Sequence, residues 1–203
     1  MIKITKENLK KEYWYKKDLQ RFCSEKGLPS YGTKAELLIY IEKYFGGTPL
    51  SDIKPLRRPK RASKKLLWDE MTPETKILNS GFSLNGEARK FFKYYLGLEK
   101  FSFKKNMAIK LREIERNQDE AATIQDLINA YFNSSKIRTP EEKTYEWNHF
   151  VKDFFNDENS KKFGSKLKVA SILWSNVKQS AGSKKYNSSL IEKYKDKIQD
   201  YML

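Results

Sequence analysis

The sequence contains a single cysteine, Cys23, and a single histidine, His149. One cysteine excludes an internal disulfide, and the two residues together are too few for a zinc site built on cysteine and histidine. Scarce cysteine is typical of a reducing compartment, so we expect a cytoplasmic protein. Cys23 shares a predicted helix face with Leu19 and Phe22 and is interpreted as a core residue. His149 is interpreted as a surface residue of a helix.

Long apolar runs are also absent. No stretch approaches the roughly 20 apolar residues that a membrane helix requires, and residues 1–18 lack the apolar segment of a secretory signal. The sequence has no nucleophile elbow, no Gly-rich phosphate loop and no well-spaced set of carboxylates around a lysine. We therefore predict a protein that is not an enzyme and has no metal, other cofactor or membrane partner. No small-molecule substrate is indicated.

Acidic residues are outnumbered. The chain has 41 Lys and Arg against 26 Asp and Glu, which gives a net charge of +15. Residues 1–65 contain 17 of the basic and 7 of the acidic side chains, so most of the excess lies in the first third of the chain. A field of this sign attracts polyanions, which are nucleic acid, an anionic membrane or an acidic protein.

Glycine and proline are few, and they concentrate at one boundary. Elsewhere apolar residues recur mostly at helical spacing, which predicts a mainly α protein. Residues 46–65 contain two glycines, three prolines and a final stretch without an acid. This composition predicts a basic linker between a small domain, residues 1–45, and a larger helical domain, residues 66–203. The sequence also allows one short β-hairpin, with candidate strands at residues 66–68 and 100–103.

Two short helices are predicted on either side of the segment GLPSYGTK. Gly27 is well placed to end the first helix, and Pro29 prevents the helix from continuing. Thr33 and Glu36 have the spacing of a capping box at the start of the second helix. Residues 16–45 therefore predict a helix, an extended link and a second helix.

The start of the second helix is the predicted anion site, because its backbone amides and helix dipole favour negative charge. Gly32 is expected to let a phosphate approach the backbone. Lysines of the first helix and the basic linker are expected to extend the contact to further phosphates. The candidate DNA-binding residues are Lys16, Lys17, Lys26, Ser30, Tyr31, Gly32, Thr33, Lys34, Arg57, Arg58, Lys60 and Arg61.

Residues 9–45 resemble the SAP motif, a helix–link–helix DNA-binding module. The resemblance rests on the Leu and Cys of the first helix and on the sequences GLP, GTK and LL that follow. It implies binding of double-stranded, often A·T-rich DNA through the link and the start of the second helix, here residues 30–34. The preceding KKEYWYKKD is more aromatic than the usual SAP leader.

Residues 66–182 are similar to an uncharacterised region found downstream of SAP motifs in bacterial proteins. This second resemblance rests on EARKFFKYYLG, on FSF, and on KVASILWSNVKQSAG. It implies a bacterial cytoplasmic protein, nucleoid-associated when bound to DNA, and adds no chemistry.

The predicted function is binding of double-stranded DNA through phosphate contacts and groove shape. Any sequence preference would be for A·T-rich tracts, whose narrow minor groove attracts basic side chains. The alternative is a protein-interaction scaffold, in which residues 66–203 bind a protein partner and the basic N-terminal segment is only a solubilising tether. Binding of RNA is a third, weaker alternative.

Overall fold

The computed structural model describes residues 4–57, 65–133, 141, 144–178, 180 and 182–203. The prediction of a mainly α protein is confirmed. The β-hairpin that the sequence allowed is not formed, since the described residues contain only two isolated β-bridges, one between Lys76 and Thr123 and one between Phe163 and Met202. Trp68–Glu70 is instead a short 3-10 helix.

The described residues form nine α-helices and several short 3-10 helices. The α-helices are α1 Lys16–Glu25, α2 Lys34–Phe45, α3 Gly86–Tyr95, α4 Lys105–Asn117, α5 Ile124–Phe132, α6 Glu146–Asn156, α7 Lys166–Val177, α8 Ser189–Lys193 and α9 Lys195–Ile198. None of the helices in the described part of the chain has the length and apolar character that a membrane span requires.

The chain divides into two compact units. One comprises Met1–Lys54 together with Thr139–Leu203 and is called the N–C unit, and the other comprises Pro55–Arg138 and is called the central unit. This division differs from the predicted domains 1–45 and 66–203. The physical reason is a long-range contact: the ring of Tyr13 packs edge-on against Trp174 of α7, with 5.0 Å between centroids, so the first two helices share a unit with the last four.

The N–C unit has its largest aromatic cluster between α6 and α7. Phe150 and Phe154 of α6 are fully buried there, together with Leu173 of α7. Trp174 contacts the ring of Phe150 in this cluster and also the ring of Tyr13. The segment before the N-terminal helix pair thus packs against a core formed by the C-terminal helices.

The central unit packs α3, α4 and α5 around its own core. Phe91 and Phe92 of α3 are buried, as are Met107 and Ile114 of α4 and Leu127 of α5. Helical spacing predicts that the aromatic stripe of Phe91, Phe92, Tyr94 and Tyr95 faces the core; this is confirmed for Phe91 and Phe92 and wrong for Tyr94 and Tyr95, which are 76% and 48% exposed. Because this core draws only on residues of its own unit, the central unit meets the main requirement of an independent domain.

Candidate nucleic-acid interface

The first helix ends as its sequence predicts. The amide of Leu28 donates to the carbonyl oxygen of Cys23 at 2.8 Å, and the amide of Gly27 donates to that of Ser24 at 3.2 Å. This pair of bonds is a Schellman motif, which requires a left-handed residue after the helix. Gly27 adopts φ +68° and meets that requirement without the penalty of a β-carbon.

The second helix begins with the predicted capping box. The hydroxyl of Thr33 accepts from the amide of Glu36 at 3.2 Å, and the Glu36 carboxylate accepts from the amide of Thr33 at 2.6 Å. Gly32 is buried, and a β-carbon built on it would lie 2.7 Å from that carboxylate. The Glu36 carboxylate occupies the space beside Gly32 and would repel an anion, which argues against the expected approach of a phosphate to Gly32.

The two helices begin at the same end of the pair. Tyr13 lies just before α1, and the ammonium of Lys34, the first residue of α2, lies 4.0 Å from its ring centroid. Near the other ends of the helices, the rings of Phe22 and Phe45 are 5.6 Å apart. The positive ends of both helix dipoles therefore point in one direction. Lys26 follows α1, which is roughly 15 Å long, and so lies at the opposite end.

The link returns along α1. The side-chain amide of Gln20 donates to the carbonyl oxygen of Ser30 at 3.2 Å. Lys16 and Lys17 precede Gln20 by four and three positions, so they share its face of the helix and border the link. Lys16, Lys17, Ser30 and Tyr31 are all exposed. The structure thus brings together these four of the predicted site residues.

Lys34 is held by an acidic residue of α6. Its ammonium lies 3.4 Å from the carboxylate of Glu146, and only 15% of its side chain is exposed. Burial lowers the pKa of Lys34 from its ordinary value, and the Glu146 carboxylate opposes this effect. Sequence analysis placed Lys34 at the phosphate site as an available cation. In the structure a phosphate would have to compete with Glu146 for it.

Tyr15 and Lys178 are site residues that sequence analysis missed. The ammonium of Lys178 donates to the Tyr15 hydroxyl at 2.7 Å and lies 5.3 Å from the centroid of its ring. The ammonium of Lys17 lies 5.9 Å from the same centroid, and Tyr15 remains 43% exposed. The aromatic residues among the lysines of KKEYWYKKD could have indicated Tyr15. No sequence pattern indicated Lys178, because it lies 163 positions from Tyr15.

We call the resulting surface the basic face. It combines three lysines with two tyrosines and a serine that reach the surface of the N–C unit: Tyr15, Lys16, Lys17, Ser30, Tyr31 and Lys178. Ammonium groups bind phosphate oxygens as point charges, and hydroxyl groups add hydrogen bonds to the same oxygens. The arrangement is suited to a polyanionic backbone.

Arg57 is not part of this surface. Its guanidinium is buried in the central unit, where it pairs with the buried carboxylate of Glu115 on α4. The expectation that Arg57 contacts DNA is therefore wrong, because its charge is already paired inside the protein. The other predicted linker contacts, Arg58, Lys60 and Arg61, lie outside the described residues.

The remaining candidates for chemistry have ordinary surroundings. Cys23 is fully buried, and burial raises the pKa of its thiol to about 11, which disfavours a reactive thiolate. His149 is exposed on α6, as expected. Within the described ranges no group of three or more His, Cys, Asp or Glu side chains is placed to hold a metal ion.

Comparison of this chain with protein-family models, curated proteins and solved structures gives no match. The basic face is therefore interpreted from its own residues and geometry.

Proposed function

We propose that this protein binds double-stranded DNA through the basic face of the N–C unit. The observation that carries the proposal is the cluster of Lys17 and Lys178 around the half-exposed ring of Tyr15, with the exposed Lys16 adjacent to Lys17 in sequence. It lies at the end where both helices begin, so the helix dipoles add to the attraction for phosphate. Such contacts give affinity and position the protein on the duplex without reading base edges.

The resemblance of residues 9–45 to the SAP motif supports the same function. In this proposal the exposed Ser30 and Tyr31 of the link contact the sugar–phosphate backbone. The capping box of Thr33 and Glu36 has a different role, since it shapes the link and binds no phosphate itself. A preference for A·T-rich tracts would come from their narrow minor groove, whose negative potential attracts lysine.

Titration of a labelled duplex with the full chain at several salt concentrations tests the proposal. If the three lysines of the basic face each neutralise one phosphate, log K falls with log salt with a slope of about −2.7. A flat response would rule out the phosphate contacts. Complete absence of binding would favour the scaffold alternative.

Paired substitutions locate the contact. Lys16→Gln combined with Lys17→Gln is expected to weaken binding and to make the slope shallower by about 1.8, because two phosphate contacts are lost. The matched control is Lys161→Gln with Lys162→Gln, which removes the same charge from another exposed pair of the N–C unit. Equal effects of the two double variants would mean that only net charge matters, and the basic face would not be the site.

A further inference from the structure

A series of contacting aromatic rings runs from the core of the central unit to its surface. Phe101 packs on the ring of Tyr131 with 5.2 Å between centroids. Tyr131 in turn meets the ring of Phe132 edge-on, also at 5.2 Å. Phe132 is the last residue of α5 and is 64% exposed. Folding of the core does not account for a phenylalanine in this position, since most of its ring contributes nothing to apolar burial.

Two cations accompany these rings. The ammonium of Lys104 lies 4.0 Å from the centroid of Tyr131, and the guanidinium of Arg89 lies 5.3 Å from that of Phe103. Both cations are exposed, and neither forms an ion pair with a carboxylate of the described residues. They are therefore available to an anionic ligand that also contacts the rings.

The start of α4 and the end of α5 bring Lys104, Tyr131 and Phe132 together. The side-chain amide of Asn106 donates to the carbonyl oxygen of Asn133, which joins the first turn of α4 to the residue that follows α5. Lys104 is thereby placed over the ring of Tyr131, beside Phe132. The result is a surface that combines aromatic rings with positive charges.

A second exposed ring in the same unit has different surroundings. Tyr94 is 76% exposed and lies 5.6 Å from the ring of Trp68. Next to Trp68 in sequence is Asp69, and the carboxylate of Glu87 pairs with Lys65 and Lys90 nearby. A carboxylate therefore pairs with lysines near Tyr94, whereas no carboxylate of the described residues pairs with Lys104 beside Phe132. This contrast favours an anionic aromatic ligand at Phe132 and makes Tyr94 a matched control.

We propose that the surface formed by Arg89, Phe103, Lys104, Tyr131 and Phe132 binds single-stranded nucleic acid. An unpaired base stacks on the exposed ring of Phe132, while Lys104 and Arg89 contact the flanking phosphates. Aromatic platforms beside a positively charged groove recognise single strands in this way, and they depend little on sequence because every base has a flat face. This function is independent of the duplex site on the N–C unit.

The test compares two labelled probes with the full chain: an oligothymidylate, and an abasic oligomer of the same length that carries the same phosphates. We expect the oligothymidylate to bind more tightly, and Phe132→Ala to weaken its binding about tenfold or more. The same variant should leave binding of the abasic oligomer unchanged. Phe132→Trp keeps an aromatic face and should retain the preference for bases. Lys104→Gln should weaken binding of both probes.

Tyr94→Ala is the control for loss of an exposed ring and should leave both affinities unchanged. Equal binding of the two probes would overturn the proposal, and so would equal losses in Phe132→Ala and Tyr94→Ala. Failure of the oligothymidylate to bind would overturn it as well. The Lys16→Gln, Lys17→Gln variant should keep the preference for the oligothymidylate, so failure here is distinguishable from failure of the duplex site. Circular dichroism confirms that each variant is folded.

Discussion

Lys34 lies between an aromatic ring and a carboxylate, and this position decides how it can act. Its ammonium is 4.0 Å from the centroid of Tyr13 and 3.4 Å from the carboxylate of Glu146. A lysine that contacts both a ring and a carboxylate binds an external phosphate weakly unless one of these contacts breaks. Glu146 is therefore expected to limit the number of phosphates that the N-terminal helix pair can neutralise.

Removing the Glu146 carboxylate should make Lys34 available. In Glu146→Gln we expect tighter duplex binding and a salt slope steeper by about 0.9, because one more phosphate is neutralised. The free energy of unfolding should fall by about 1 kcal/mol, as is typical for loss of a partly exposed ion pair. Titration of the labelled duplex and urea unfolding measure the two effects.

Glu158→Gln is the matched control, since this exposed carboxylate pairs with Lys161 on another part of the N–C unit. It removes the same charge and should leave the slope as it is. An unchanged slope in Glu146→Gln would show that Lys34 does not contact the duplex.

The burial of a single residue was predictable where apolar residues at helical spacing lie close to it in the sequence. Cys23 was assigned to the core from its helical spacing to Leu19 and Phe22, and all three are buried. Arg57 was misassigned because its partner Glu115 is 58 positions away. A charge within a basic block normally faces water, and only the fold shows that this one is paired.

At the scale of structural elements, the link between α1 and α2 is determined by two glycines with different surroundings. Gly27 has φ +68° and open space where a β-carbon would be. Gly32 has φ +138° and lies against the Glu36 carboxylate, with no room for a β-carbon. Both were recognisable from the sequence as link residues, but the close approach at Gly32 depends on the position of the Glu36 side chain.

Alanine substitutions at the two glycines should reduce the free energy of unfolding by different amounts. Gly27→Ala is expected to reduce the free energy of unfolding by about 1 kcal/mol, the cost of a left-handed residue with a β-carbon. Gly32→Ala should cost more, about 2–3 kcal/mol, because backbone strain is joined by a clash that breaks the capping box. Urea unfolding of both variants measures the difference. Equal losses would mean that Glu36 can move aside freely.

At the scale of the whole molecule, the two ends of the chain fold together. The contact between Tyr13 and Trp174 unites α1 and α2 with the C-terminal helices, while residues 55–138 form a core of their own. A helix pair of 45 residues has little surface to bury by itself. It is expected to depend on the C-terminal helices for stability.

Excised fragments should show this dependence. A fragment of residues 55–138 is expected to melt cooperatively by circular dichroism, since its buried residues pack against one another. A fragment of residues 1–45 should show little helix and no cooperative transition, because it lacks Trp174. A cooperative melt of the 1–45 fragment would contradict this account and would support the domain boundary predicted from the sequence.

The sequence by itself determined where the first helix of the N-terminal pair ends and where the second begins. Capping boxes, Schellman motifs and apolar faces involve residues a few positions apart, so their spacing is sufficient to identify them. Only the tertiary structure decided which lysines face water. Lys34 meets Glu146 across 112 positions, and Lys178 meets Tyr15 across 163. Such pairs form because folding brings distant side chains together, and no local pattern records them.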